Sequence, residues 1–193
     1  MVQKGVIHGR FQVLHLKHME YLLAAKMKCQ RLYIGISNPD ASFIEETEID
    51  LHRSKASANP FTYIERYEMI HDAMLEFGVP RSEFEIIPFP INMPELILQY
   101  APKDATYFMS ISDAWGEEKL KILESLDVKV DVMWRKPTEE KGTSSSEVRE
   151  LMVKSKEWEA LVPKSVYNYI MDHKLDRRIR KIVKEEKTQL EKI

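Results

Sequence analysis

The 193-residue sequence holds one cysteine, Cys29. No intrachain disulfide can form, and no Cys/His cluster has zinc-site spacing. No apolar run is long enough to span a membrane. The start, Met1-Val2-Gln3-Lys4-Gly5, lacks the apolar core and cleavage region of a secretory signal, so a reducing cytoplasm is the expected setting. An excess of charge of one sign is also missing: 29 Lys and Arg stand against 31 Asp and Glu. A nucleic-acid binder would favour a basic balance, so neither nucleic acid nor membrane is expected as a partner. There is no internal repeat and no low-complexity tract.

What is present suits one α/β domain with an appendage. Val6–Phe11 reads as a strand running into a loop at Gly9, and Met19, Leu22, Leu23 and Met27 repeat at helical spacing over 18–28. Arg31–Ser37 reads as a second strand, completing a βαβ unit and hence a parallel pair. Residues 38–60 are polar and too long for an ordinary βα connection; they form either a functional insertion or a solvated loop. Helices are predicted over 62–77, 93–100, 117–125, from Ser146 to Val153, and over 166–173. Further strands are predicted over 84–88, 105–111 and 128–134. The expected fold is a Rossmann-like open parallel sheet with helices on both faces, its ligands at the carboxyl ends of the strands. Residues 1–173 make the domain. Residues 174–193 make a charged amphipathic tail helix that docks on the domain or on a partner chain.

Two segments carry chemistry. In Gly9-Arg10-Phe11-Gln12-Val13-Leu14-His15-Leu16-Lys17-His18, a strand ends and a helix begins with two histidines three residues apart, able to face one side. A helix start offers N–H groups and partial positive charge, so imidazole donors there, with Arg10 and Lys17, make an oxyanion site. The second segment, Gly142-Thr143-Ser144-Ser145-Ser146-Glu147-Val148-Arg149, again opens a helix. Ser144 with Glu147 fits a capping box, and Arg149 extends from its first turn. Two anion-binding helix starts in one α/β domain suit a triphosphate.

These residues resemble a known family. Gly9–Gln12 followed by His15-x-x-His18 resembles the GRFQPxHxGH signature of adenylyl- and cytidylyltransferases, and Thr143–Arg149 resembles their ISSTxxR signature. Asn59–Ile70 and Trp158–Val166 are similar to stretches of archaeal-type nicotinamide-nucleotide adenylyltransferases. The resemblance implies transfer of a nucleoside monophosphate, most directly AMP from Mg-ATP to nicotinamide mononucleotide, giving NAD and pyrophosphate. It assigns catalysis to His15, His18 and Arg149. ATP binding falls to Gly9, Arg10, Phe11, Gln12, Ser144, Ser145 and Ser146. Asn92, Asp113 and Trp115 are this sequence's own candidates for acceptor binding. The Mg²⁺ would be held by phosphates rather than by protein side chains, and a homo-oligomer is implied.

The sequence departs from that pattern in four ways. Lys17 stands where the family has glycine, Val13 where it has proline, Ser112-Asp113 where the archaeal type has Gly-Asn, and Ile97 where it has the tryptophan that stacks on nicotinamide. Trp115 offers a replacement stacking surface, against the commoner role of a core or rim residue. The departures leave open a transferase with another acceptor, one using CTP, or a nucleotide-binding regulator without turnover. His8 reads as a strand histidine packed under a helix, Arg66 as a ligand or an ion-pair partner, and Cys29 as a small buried side chain.

Overall fold

The computed structural model describes residues 1–39, 55–135 and 142–190. In chain order the elements are β1 (Val2–Gly9), α1 (Leu16–Lys26), β2 (Cys29–Ser37), α2 (Tyr63–Glu76), β3 (Phe84–Phe89), α3 (Ile97–Tyr100), β4 (Thr106–Ile111), α4 (Ala114–Ser125), β5 (Lys129–Arg135), α5 (Ser145–Val153), α6 (Lys164–Asp172) and α7 (Leu175–Leu190). The acidic and basic run of the long loop, Glu45 to Arg53, lies outside the described residues.

Adjacent residues of a strand point to opposite faces, and here they enter different cores. Ile7, Leu32, Ile34, Phe84 and Phe108 join the buried residues of α1, α2, α5, α6 and α7 on one face. Val6, Ile87, Phe89, Tyr107 and Met109 join Ile97 of α3 and Leu123 of α4 on the other. Both faces are covered, as a fully parallel sheet requires.

The strands are parallel in the order β3-β2-β1-β4-β5. From β1 the chain moves outward through β2 to β3 with α1 and α2 on the first face. It then crosses back to β4 and on to β5 with α3 and α4 on the second. Reversing both direction and face keeps every crossover right-handed. The strand order reverses between β1 and β4. The crevice above that point, at the carboxyl ends, is where ligands of such sheets bind. The loops after β1, β3 and β4 open on this edge.

Two expectations change in detail. The segment expected to be helical over 93–100 is a 3₁₀ turn, Pro94–Leu96, followed by the single turn α3. Pro94 has no N–H to donate and disfavours helical backbone at Met93, which holds φ −131° and ψ 71°. The tail helix docks on its own domain: Leu175 and Ile179 are buried in the first core, Asp176 is buried beside them, and Arg178 and Arg180 are half-buried against the domain. Among the described residues no helix is long and apolar enough to cross a membrane.

Candidate active site

The loop after β1 is shaped by an aromatic ring. Phe11 has φ 53°, a left-handed backbone that costs a bulky residue energy, and its ring turns back under the loop and is buried. A Cβ added at Gly9 would lie 2.9 Å from that ring, so only glycine lets the strand end there. The Phe11 ring then meets His18 edge-on at 5.1 Å.

His15 caps α1, and the two histidines cap each other. The Nδ1 of His15 accepts from the His18 backbone N–H at 3.3 Å, and the Nδ1 of His18 accepts from the His15 N–H at 3.4 Å. A ring nitrogen that accepts carries no proton, so both rings are neutral with the proton on Nε2, a donor. The rings stack at 3.7 Å between centroids, an arrangement two imidazolium ions would resist. Burial pushes the His15 pKa down to about 4. Burial also pushes His18 well below the ordinary value, helped by the repulsion a protonated His15 would exert and by the Arg10 charge, with the Val13 carbonyl opposing.

The serine segment meets this loop directly. Ser144 and Glu147 form the expected capping box of α5. The Ser145 hydroxyl donates to the Val13 carbonyl at 3.0 Å. Arg149, buried, donates from Nη1 to the Gln12 carbonyl and from Nη2 to Ser146 Oγ at 3.2 Å. Gln12 grips a third segment: its side-chain amide donates to the Phe61 carbonyl and accepts from the Phe61 N–H, both at 3.0 Å. The side chain of Gln12 thus holds the approach to α2.

Local pattern did not reveal the role of Arg66. Buried at the start of α2, it donates to the carbonyls of Arg10 (3.1 Å), Ser37 (2.8 Å), Asn38 (2.8 Å) and Thr62 (3.3 Å). It therefore clamps backbone rather than pairing with a carboxylate. Burial lowers its pKa to about 10, Tyr63 opposes this, and the Arg10 charge adds to the lowering. Arg149 is likewise lowered to about 10, by burial first and the Arg10 charge second. The Arg10 charge thus presses on His18, Arg66 and Arg149 together. Such a concentration of donors and mutually repelling cations is relieved by an anion.

Other predicted residues fall on the same edge. Asn92 follows β3 and is half-buried. Asp113 follows β4 and caps α4, accepting from the Gly116 N–H at 2.8 Å. Trp115, in the first turn of α4, packs against the second core. Lys17 does not crowd the histidines. Its stem lies over Gly142, where an added Cβ would sit 3.0 Å from Lys17 Cε, and its Nζ pairs with Glu20 at 2.8 Å. His8 is buried, stacked on Phe89 at 4.5 Å with Nδ1 3.4 Å from Ser37 Oγ. Burial, and secondarily the Lys119 charge, lower its pKa to about 3.

These histidines imply an acid limit on stability. The unfolded chain protonates its histidines near 6.5, whereas the folded chain refuses the proton until about 4 at His15 and about 3 at His8. Stability is full above the unfolded value and declines as pH falls from 6.5 toward 4. Urea midpoints at pH 7.5, 6.5 and 5.5 are expected to drop across that series. A midpoint that stays level would mean that the rings accept protons inside the fold.

Comparison with known proteins places the chain in a family. Residues 6–151 match the family model described as cytidylyltransferase-like. The chain is 43% identical to the phosphonoformate cytidylyltransferase of Streptomyces viridochromogenes, over 91% of this chain and 95% of that protein. It is 31% identical to the nicotinamide-nucleotide adenylyltransferase of Thermococcus sibiricus, over 98% of this chain and 92% of that one. Its fold matches the bifunctional NMN adenylyltransferase/ADP ribose pyrophosphatase of Francisella tularensis with a TM-score of 0.68 at 16% identity, covering all of this chain and 57% of that one. The protein belongs to the cytidylyltransferase-like family of nucleotidyltransferases.

Proposed function

We propose that the protein transfers a cytidylyl group from Mg-CTP to a small acceptor whose nucleophile is a phosphonate or phosphate oxygen. The observation that carries the triphosphate site is the concentration of Arg10, Arg149 and two neutral, Nε2-protonated histidines at the switch point of the sheet. An acceptor oxygen attacks the α-phosphorus of the nucleotide. The bond from that phosphorus to the bridging oxygen breaks, and pyrophosphate leaves with the bonding electrons. The nucleophile is already anionic, so no general base is required, and catalysis is alignment and charge stabilisation.

Each donor then has a task. His15 and His18 donate from the ring to phosphate oxygens on which charge develops. Arg149 and Arg10 neutralise the leaving phosphates. Ser144 and Ser146 accept through oxygen from Glu147 N–H and Arg149, so their hydroxyl hydrogens can turn to the nucleotide. The hydrogen of Ser145 is already given to Val13. Gly9 and Phe11 form the floor, and Gln12 fixes the loop through Phe61. Asn92, Asp113 and Trp115 line the acceptor side. Magnesium enters with the nucleotide. Among the described residues no group of three or more His, Cys, Asp or Glu gathers that could hold a metal, and the cradle's N–H and guanidinium donors suit phosphate oxygens. The ion would travel as part of the nucleotide substrate, on its phosphates.

Cytidylyl transfer to a phosphonate is favoured by the Streptomyces relative, matched at 43% identity over nearly its whole length. Adenylyl transfer to nicotinamide mononucleotide is the second reading, favoured by the Thermococcus relative. Ile97 weighs against it, because the residue aligned with the nicotinamide-stacking tryptophan is fully buried in the second core. Pyrophosphate release measured with Mg-CTP or Mg-ATP, each against phosphonoformate or nicotinamide mononucleotide, separates the two. Release with Mg-CTP and phosphonoformate is expected. Release confined to Mg-ATP with nicotinamide mononucleotide would replace this reading with the second. Nucleotide binding with no release from any pair would make the protein a regulator.

Lys17 serves this site as a rim cation that the triphosphate recruits from Glu20. Its contact is the same in ground and transition states, so its loss should move KM and spare kcat. Lys17→Gly is expected to raise the nucleotide KM about tenfold, the worth of one charge-assisted hydrogen bond, with kcat changed less than about threefold. Initial rates with nucleotide varied at saturating acceptor measure this.

A further inference from the structure

The C-terminal helix touches both arms of the site. On one side, Arg178 pairs with the Glu65 carboxylate, its Nη1 at 2.8 Å from Oε1. Glu65 in turn accepts from the Thr62 N–H at 2.9 Å, and the neighbouring Phe61 is the residue gripped by Gln12. Further along α7, Glu186 accepts from the Ser57 N–H at 2.9 Å, holding the 3₁₀ turn Ala56–Ala58. On the other side, Arg180 donates to the Met152 carbonyl at 3.0 Å near the end of α5 and pairs with Asp176 on its own helix. The start of α5 carries Ser144 to Arg149. Because Arg149 donates to the Gln12 carbonyl, the contacts close into a ring: α7, Glu65, Phe61, Gln12, Arg149, α5, Arg180, α7.

We propose that α7 is a brace that sets the spacing of the two phosphate-binding arms, with Arg178 and Arg180 as positioning residues for the nucleotide. Neither residue needs to touch substrate. Arg178 fixes where Phe61 stands and hence where Gln12 holds the first arm, and Arg180 fixes the far end of the helix that presents the second. The role rests on the nucleotide-binding reading of the site. It goes beyond that reading in giving residues 174–190, which bear none of the family signatures, a part in the reaction. Binding and bracing are reciprocal: if the helix holds the arms in their binding geometry, bound nucleotide must in return stabilise the helix.

The test measures Mg-CTP and Mg-ATP affinity by calorimetry, and turnover, for the wild-type chain, Arg178→Ala, Arg178→Lys and Arg180→Ala. Each alanine variant is expected to bind nucleotide about tenfold more weakly, within the cost of misplacing a binding group. Acceptor KM should be unchanged, and Arg178→Lys, which keeps the ion pair, should recover most of the affinity. Hydrogen exchange on the unaltered protein supplies the second measurement. Nucleotide should slow exchange of the amides of residues 178–187 more than those of α4, which lies outside the ring. Unchanged affinity in both alanine variants, or no nucleotide-dependent protection of α7, would overturn the brace while leaving the transferase reading intact. A wild-type protein that binds neither nucleotide would overturn both. If an alanine variant does not fold, the exchange comparison on the wild-type chain decides.

Discussion

His18→Ala is expected to lower kcat about a hundredfold while leaving the protein folded. The ring does two separable things. Its Nδ1 accepts from the His15 backbone N–H, completing a mutual cap, and its Nε2–H is available to a phosphate oxygen. Losing the cap costs about 1 kcal/mol of stability. Losing a donor aimed at developing charge costs roughly 3 kcal/mol of barrier. The second term exceeds the first and falls on the transition state, so turnover drops far more than the urea midpoint. His18→Asn separates the two roles, because its carbonyl can accept from His15 and its amide can still donate; it should recover part of kcat. Turnover of the alanine variant near the wild-type rate, measured as pyrophosphate release at saturating substrates, would remove His18 from the mechanism.

The largest stability effect is expected at Arg66. Its guanidinium reaches the ends of β1 and β2 and the start of α2 through the carbonyls of Arg10, Ser37, Asn38 and Thr62. Arg66→Met fills most of the same volume and leaves the buried Ser37 carbonyl and the half-buried carbonyls of Arg10 and Asn38 without this donor. Each such loss costs about 1–3 kcal/mol, so unfolding in urea should show a deficit of at least about 3 kcal/mol. Lysine brings one compact ammonium in place of a planar fork, and Arg66→Lys should regain less than half. A methionine variant within about 1 kcal/mol of wild type would mean that water replaces the guanidinium and that the clamp contributes little. Nucleotide affinity should fall with the same substitution, since the Arg10 backbone is one of the groups released.

Local signals carried most of the fold. The βαβ unit, the later strands and the helix starts were legible because each depends on spacing within a few residues: Met19 and Leu22 face one core as their spacing predicts, although Met27 at the end of that stripe is exposed, and Ser144 caps with Glu147. The two phosphate-binding segments were legible for the same reason, since histidines three apart at a helix start can cap each other wherever that helix lies. What stayed hidden were contacts between segments distant in sequence. The grip of the Gln12 amide on Phe61, 49 residues away, had no local signal. Arg66 suggested an ion pair, yet it binds main chain. The pairing of Arg178 with Glu65, 113 residues apart, has no periodicity to betray it. Lys17 could be read as added charge and as a departure from glycine, but not as a stem lying along Gly142. The fate of such side chains is decided by which loops the sheet order brings together, and no local pattern encodes that.

Gln12, Arg66 and Arg149 share one habit: each grips carbonyl or amide groups of the main chain, which every residue type supplies (proline lacking only the N–H). The frame of the cleft is therefore indifferent to the side chains of the loops it secures. Ser37, Asn38 and Phe61 can change identity with their gripped backbone atoms still in reach, provided the backbone path is kept. A cradle fastened this way separates what holds a triphosphate from what selects the molecule that attacks it. Laboratory redesign of acceptor choice should accordingly begin at Asn92, Asp113 and Trp115, beyond the reach of those three grips.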